Sequence, residues 1–178
     1  NGVLTGSWHY VRGLAWVATH QTKQAEQELA KLRNFLNQLS KNDRVISMNS
    51  ASNILHIASE VLAGEIAAAK NQFDQAILHL DKAVRLDDAL LYTEPPEFHF
   101  PPRLALGAIL LKAGRANEAE TVYWEDLKRI RNNGWALFGL MQALTAQNKT
   151  ERAAIVKERF EQTWQRADRE LKASRFGL

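Results

Sequence analysis

His9, Glu60 and Arg103 occupy one position of an internal pattern that runs through the chain. Imidazole nitrogen with carboxylate oxygen suits a divalent cation such as zinc, and arginine with histidine can clasp an anionic peptide end or small ligand. His56 lies one helical turn before Glu60, and a proline-containing stretch delivers Glu94, Glu97 and His99 just upstream of Arg103. His9, His56, Glu60 and His99 are therefore the groups a metal ion would use. The stronger expectation is structural: a Glu60–Arg103 ion pair, flanked by histidine hydrogen bonds, would tie an irregular insertion to a packed core without any ligand. The spacing His-x-x-x-Glu is a weak signal. The His-Glu-x-x-His motif, the phosphate loop, the dinucleotide glycine pattern and the Gly-x-Ser-x-Gly elbow are all absent from the sequence. The expectation is a chain that is no enzyme and needs no cofactor.

These residues must be held by something, and composition says what kind. The 178 residues are 46% hydrophobic and 24% charged, enough to bury one core over residues 1–178. Twenty-three Lys and Arg against 20 Asp and Glu leave +3, too small and too scattered for a nucleic-acid footprint. Near the end, Lys149, Arg152, Lys157, Arg159, Arg166, Arg169, Lys172 and Arg175 alternate with acidic residues, as on a solvated helix. No cysteine is present, so disulfides, thiolate nucleophiles and cysteine zinc sites are excluded, while cytoplasm and periplasm both remain open. No apolar run approaches the roughly 20 residues that span a bilayer.

The positioning elements follow from a hidden repeat. Gly13 and Ala25, Gly64 and Ala76, Gly107 and Ala119, and Met141 and Ala153 are each separated by twelve residues. Successive alanines lie 51, 43 and 34 residues apart, so the first two intervals carry insertions. Apolar residues at i, i+3 and i+4 from these anchors mark the buried faces of paired helices, with small residues letting the two helices of a hairpin approach closely. Helices are predicted at about 8–20, 22–38, 52–70, 73–86, 101–113, 116–129, 133–146 and 150–173, with no strand. The fold class is all-α: an α-α superhelix, or solenoid, of four helix-turn-helix hairpins. The repeats cover about 6–39, 53–90, 100–132 and 134–167, with insertions at 40–52 and 91–100. The stripe Trp164, Ala167 and Leu171 predicts a C-terminal capping helix at about 165–176.

The pattern resembles tetratricopeptide repeats, best in the third unit, where Arg103, Leu106, Gly107, Leu110, Ala119 and Tyr123 match the motif. Unit four departs with Met141 for glycine and Lys157 for the usual aromatic, and unit one has Arg12 where leucine is common. The stretches Tyr92–Phe98 and Asn133–Leu140, with Trp8-His9-Tyr10, look like the carboxyl-terminal part of long bacterial repeat proteins. That resemblance implies bacterial origin, further repeats upstream of Asn1, a protein or peptide partner, and a lean toward the periplasm. An unpaired end of the stack would expose an apolar helix face open to self-association.

In such a stack the first helix of each hairpin lines the concave side. Aligned positions there are Tyr10, Leu14, Val61, Glu65, Leu104, Ala108, Leu111, Lys112, Trp135, Phe138 and Gln142. This set predicts an apolar groove for an amphipathic helix or extended segment, with Tyr10, Trp135 and Phe138 as anchors.

Overall fold

The computed structural model describes residues 2–39 and 48–175. Among them are eight helices and no strand: α1 Gly2–Ala18, α2 Thr22–Gln38, α3 Ala51–Ala69, α4 Phe73–Asp88, α5 Pro102–Lys112, α6 Ala116–Arg129, α7 Gly134–Ala146 and α8 Thr150–Trp164. Residues 40–47 of the first expected insertion lie outside the described residues, as do residues 176–178.

The chain divides into two compact units, Asn1–Pro102 and Arg103–Leu178. In the first, α1 packs on α2, α3 on α4, and α3 against both α1 and α2. In the second, α6 packs on α7 and α7 on α8. Second helices are amphipathic. α2 buries Ala25, Glu28, Leu29, Leu32 and Leu36, and α4 buries Ala76, Leu80, Ala83 and Val84, stripes of 3.6-residue period. First helices are more enclosed: α3 is buried on nearly every side from Ile54 to Ala68.

One turn closes all four hairpins. His20, Asn71, Gly114 and Asn148 have φ near +60 to +76°, and the residue after each donates its N–H back five residues. These bonds run from Gln21 to Trp16, Gln72 to Ala67, Arg115 to Leu110 and Lys149 to Leu144, at 2.8–3.0 Å. That is the Schellman closure, which needs a left-handed residue and tolerates Gly, Asn or His there. The four left-handed residues are spaced 51, 43 and 34 apart, the same intervals as the alanine anchors.

Small residues do set the close crossings, though not always against the expected helix. A Cβ on Gly64 would lie 2.7 Å from Leu80 Cγ and 3.3 Å from Ala76 O, so α3 and α4 touch at the expected pair. Gly13 instead accommodates Leu62 of α3, and Gly6 accommodates Leu55 of the same helix. Because that contact reaches Gly6, α1 continues to Gly2 and does not start near residue 8. In the second unit the fully buried Tyr123 ring is wedged against both Gly107 and Gly139. Gly139 of α7 thus marks the crossing with α6, while the small residue of α7 that meets α8 is Gly134, under the Trp164 ring.

The expected capping helix is a correction. α8 stops at Trp164, and residues 165–175 form turns and bends. Trp164 Nε1 donates to Arg169 O at 2.7 Å, which turns the chain out of the helix. Folding back buries Leu171, Ser174 and Arg175. Tyr123 OH donates to Ser174 Oγ at 2.5 Å, and Ser174 in turn donates to Leu104 O at 3.1 Å. A straight helix would leave those groups in water.

Candidate functional site

The second insertion is bound down by polar and aromatic contacts within the first unit. Asn49, 4% exposed, donates to Leu91 O and accepts from Leu91 N, at 2.9 and 2.8 Å, and also donates to Glu97 at 2.5 Å. Phe98 is buried with its ring 5.9 Å from Tyr10. Burial, and then the charge of Glu65, push the Tyr10 phenol up from its ordinary value. Of the expected groove residues in this unit, Tyr10, Val61 and Glu65 are therefore buried, and Leu14 is half-buried. Tyr10 is a packing residue under Phe98, not an open anchor. The proline-rich insertion covers the face that the repeat pattern left bare.

Two of the polar residues expected to meet, His9 and Glu60, are each answered from their own hairpin. His9 Nδ1 lies 2.7 Å from Glu28 Oε2, and His79 Nδ1 lies 2.6 Å from Glu60 Oε2. Each pair is 19 residues apart in sequence, and His9 corresponds to Glu60 as Glu28 does to His79, both 51 residues on. The charge is swapped across the hairpin while the geometry is kept. The lysine is kept too: Lys31 donates to Glu28 at 2.9 Å and Lys82 to Glu60 at 2.7 Å, again 51 residues apart. Burial raises both carboxyls, but the histidine and lysine hydrogen bonds outweigh it and hold Glu28 and Glu60 below the ordinary value. Each carboxylate only accepts, so the facing imidazole carries its proton on Nδ1.

Arg103 stands at the equivalent position in the second unit, and its charge helps lower Glu125, after the larger effect of Lys128. Asp126 beside it is raised by burial, against the Asn133 hydrogen bond and the charges of Arg103 and Arg129. His9 and Glu60 are thus held on separate hairpins of the first unit. The second helix of a hairpin reaches these groups first. His56 and His99 are exposed, the latter 6.1 Å from the Phe98 ring, and Glu94 accepts from Tyr92 OH. Among the described residues no three His, Asp or Glu side chains are placed to hold one metal ion. A shallow depression of about 450 Å³ is lined by Glu60, Leu78, His79, Lys82 and Arg85.

The second unit keeps an aromatic surface. Trp135 and Phe138, expected as anchors, are half-buried on α7 and meet Trp164 and Phe160 of α8. Ring centroids are 5.8 Å for Trp135–Trp164, nearly perpendicular, 5.5 Å for Phe138–Phe160 and 5.9 Å for Phe160–Trp164, nearly parallel. The Trp164 ring lies on the backbone of Gly134, where any Cβ would overlap it, and its Nε1 is held by Arg169 O. Asn133 starts α7 by accepting from Trp135 N at 3.2 Å while donating to Asp126 at 2.8 Å, fixing where Trp135 leaves the turn. The other expected groove residues here divide by exposure: Leu104 is buried, Ala108, Leu111 and Gln142 are half-buried, and Lys112 is exposed. Phe160 and Trp164 were not in the expected set. The signal for them was their i,i+4 spacing, which faces the i,i+3 pair of Trp135 and Phe138.

No protein-family model, curated protein or solved structure matches the chain.

Proposed function

We propose that the chain is a non-catalytic helical-repeat module of the tetratricopeptide type that recognises another polypeptide through the aromatic face of its last hairpin. The observation that carries this reading is the four-ring cluster of Trp135, Phe138, Phe160 and Trp164. Its members are locked against one another and against Gly134, yet each stays half-exposed. Rigid aromatic groups offer large contact area at little entropic cost, which is what interface anchors require. The recurrence of one turn at intervals of 51, 43 and 34 residues supports the repeat assignment. The pairing of His9, Glu60 and His79 within their own hairpins favours a structural role for these groups over catalysis. The partner fitting such a surface is an amphipathic helix presenting apolar groups at i, i+3 and i+4.

Selection from a displayed library of amphipathic helical peptides tests this. Peptides recovered on the intact chain should bind the Trp135→Ala and Phe138→Ala variants at least about tenfold more weakly, with unchanged far-ultraviolet circular dichroism. Recovery of no binder, or of binders indifferent to both substitutions, rejects the assignment.

A further inference from the structure

The chain leaves α8 at Trp164 although the residues that follow are suited to continue the helix. Gln165-Arg166-Ala167-Asp168-Arg169-Glu170-Leu171-Lys172-Ala173 holds no glycine, proline or β-branched residue, and eight of the nine, all but Asp168, are strong helix formers. Asp168 and Lys172 are four apart with the acid first, the favourable order for a helical ion pair. Nothing in this local sequence stops α8. The turns and bends of residues 165–175 are imposed instead by tertiary anchors: Arg169 O on Trp164 Nε1, the buried Leu171, and Ser174 bridging Tyr123 OH and Leu104 O. Residues 165–170 are all exposed, so the segment runs through solvent as a strap before it is fastened.

Strap and helix exclude one another. In a helix the Arg169 carbonyl takes the N–H of Ala173, and the Trp164 side chain, leaning toward the N-terminus, cannot reach it. A straight helix also carries Ser174 about 15 Å along the axis from Trp164, where it has neither Tyr123 nor Leu104 beside it. The strap gains burial of Leu171, Ser174 and Arg175, whereas the helix gains the backbone hydrogen bonds that its own sequence favours.

We propose that residues 165–173 are a two-state switch: a strap closed by Ser174 and, once Ser174 lets go, an extension of α8 by about two and a half turns. Extension changes the surface beside it. Phe160, Trp164, Ala167 and Leu171 then fall on one side of a continuous helix, at steps of four, three and four. The aromatic face of α7 and α8 is thereby lengthened by about 10 Å, and the Trp164 indole N–H is released from Arg169. Strap closure sets the length of that face and holds Trp164 in place, and the switch does not rest on what the face binds.

Backbone carbon chemical shifts of residues 165–173, measured in the isotope-labelled full chain, test this. The unmodified chain should give non-helical shifts there and a Trp164 indole N–H protected from exchange. Ser174→Ala, which removes both bonds of the closing hydroxyl, should move those shifts toward helical values and speed exchange of the indole by about tenfold, with α5 to α7 still helical. Adding Ala167→Gly and Ala173→Gly, both away from the buried anchors, should abolish the helical shift. Four results overturn the proposal: an unmodified segment that is already helical, shifts unchanged by Ser174→Ala, a released segment with random-coil shifts, or helical shifts that the two glycines leave untouched. If Ser174→Ala unfolds the second unit, Tyr123→Phe, which removes one hydroxyl and no packing, is read by the same criteria. Unfolding there too makes the strap a fixed part of the core and overturns the switch.

Discussion

At the scale of single residues, the fold spends its buried charge on cross-helix pairs. Glu28 and Glu120, 2% and 7% exposed, are each held by two or more cations: Glu120 accepts from Lys149 at 2.7 Å and Gln147 at 2.8 Å, with Arg152 at 3.0 Å. Burial opposes ionisation of Glu28, Glu60 and Glu120, and their partners more than reverse it, so all three lie below the ordinary carboxyl value of 4.5. A depressed folded value means the stabilisation is complete above 4.5 and drains away as pH falls through the lower folded values. Urea midpoints should accordingly be level from pH 7 to about 5 and drop below it. Glu28→Gln with Glu60→Gln should cost about 1–3 kcal/mol per site at pH 7 and much less at pH 3. A loss that does not shrink on acidification contradicts the ion-pair account. Of these carboxylates only Glu60 was legible, from the repeat position it shares with His9 and Arg103, and its partners were not. His9 and Glu60 could have reached along the row of first helices, and the 19-residue pairing to Glu28 and His79 becomes evident only when the second helices are aligned as well.

At the scale of elements, turns and crossings carry the regularity. Gly114 and Asn148 announce helix ends by residue type, whereas His20 does so only by position, because histidine is an uncommon left-handed residue. Apart from the start of α1, which lies six residues before the expected one, the helix pairs were readable within a few residues up to Trp164, since each is specified by local spacing and a local stop. The segment after Trp164 was not. Trp164, Ala167 and Leu171 have helical spacing, but the outcome is decided by Ser174 bonding to Tyr123 and Leu104, 51 and 70 residues away. Sequence spacing alone has no access to such contacts. The covering of Tyr10 by Phe98 escaped for the same reason, as it depends on Asn49 tying residues 91 and 97 to the first unit. Gly139 makes a sharp test of the crossings. Alanine there improves helix propensity by about 1 kcal/mol, yet its methyl would overlap the buried Tyr123 ring. Gly139→Ala should therefore destabilise by about 1–3 kcal/mol, measured by denaturant unfolding. A neutral or stabilising result would mean that α6 and α7 do not cross where described.

At the scale of the whole molecule, the aromatic face of α7 and α8 rests on its own ring contacts, while the repeat assignment proposed above rests on residues 51 apart being equivalent in the first two hairpins. The measurement that tests this most directly is a double-mutant cycle in the first hairpin, made from His9→Glu and Glu28→His. The double variant would give α1 and α2 the arrangement that Glu60, His79 and Lys82 already have in α3 and α4, with Lys31 in place of Lys82. Each single change should cost about 1–3 kcal/mol, by setting carboxylate against carboxylate or imidazole among cations. Together they should restore stability at pH 7 to within about 1 kcal/mol of the starting chain. A double variant as unstable as the sum of the two singles would contradict the equivalence of the hairpins.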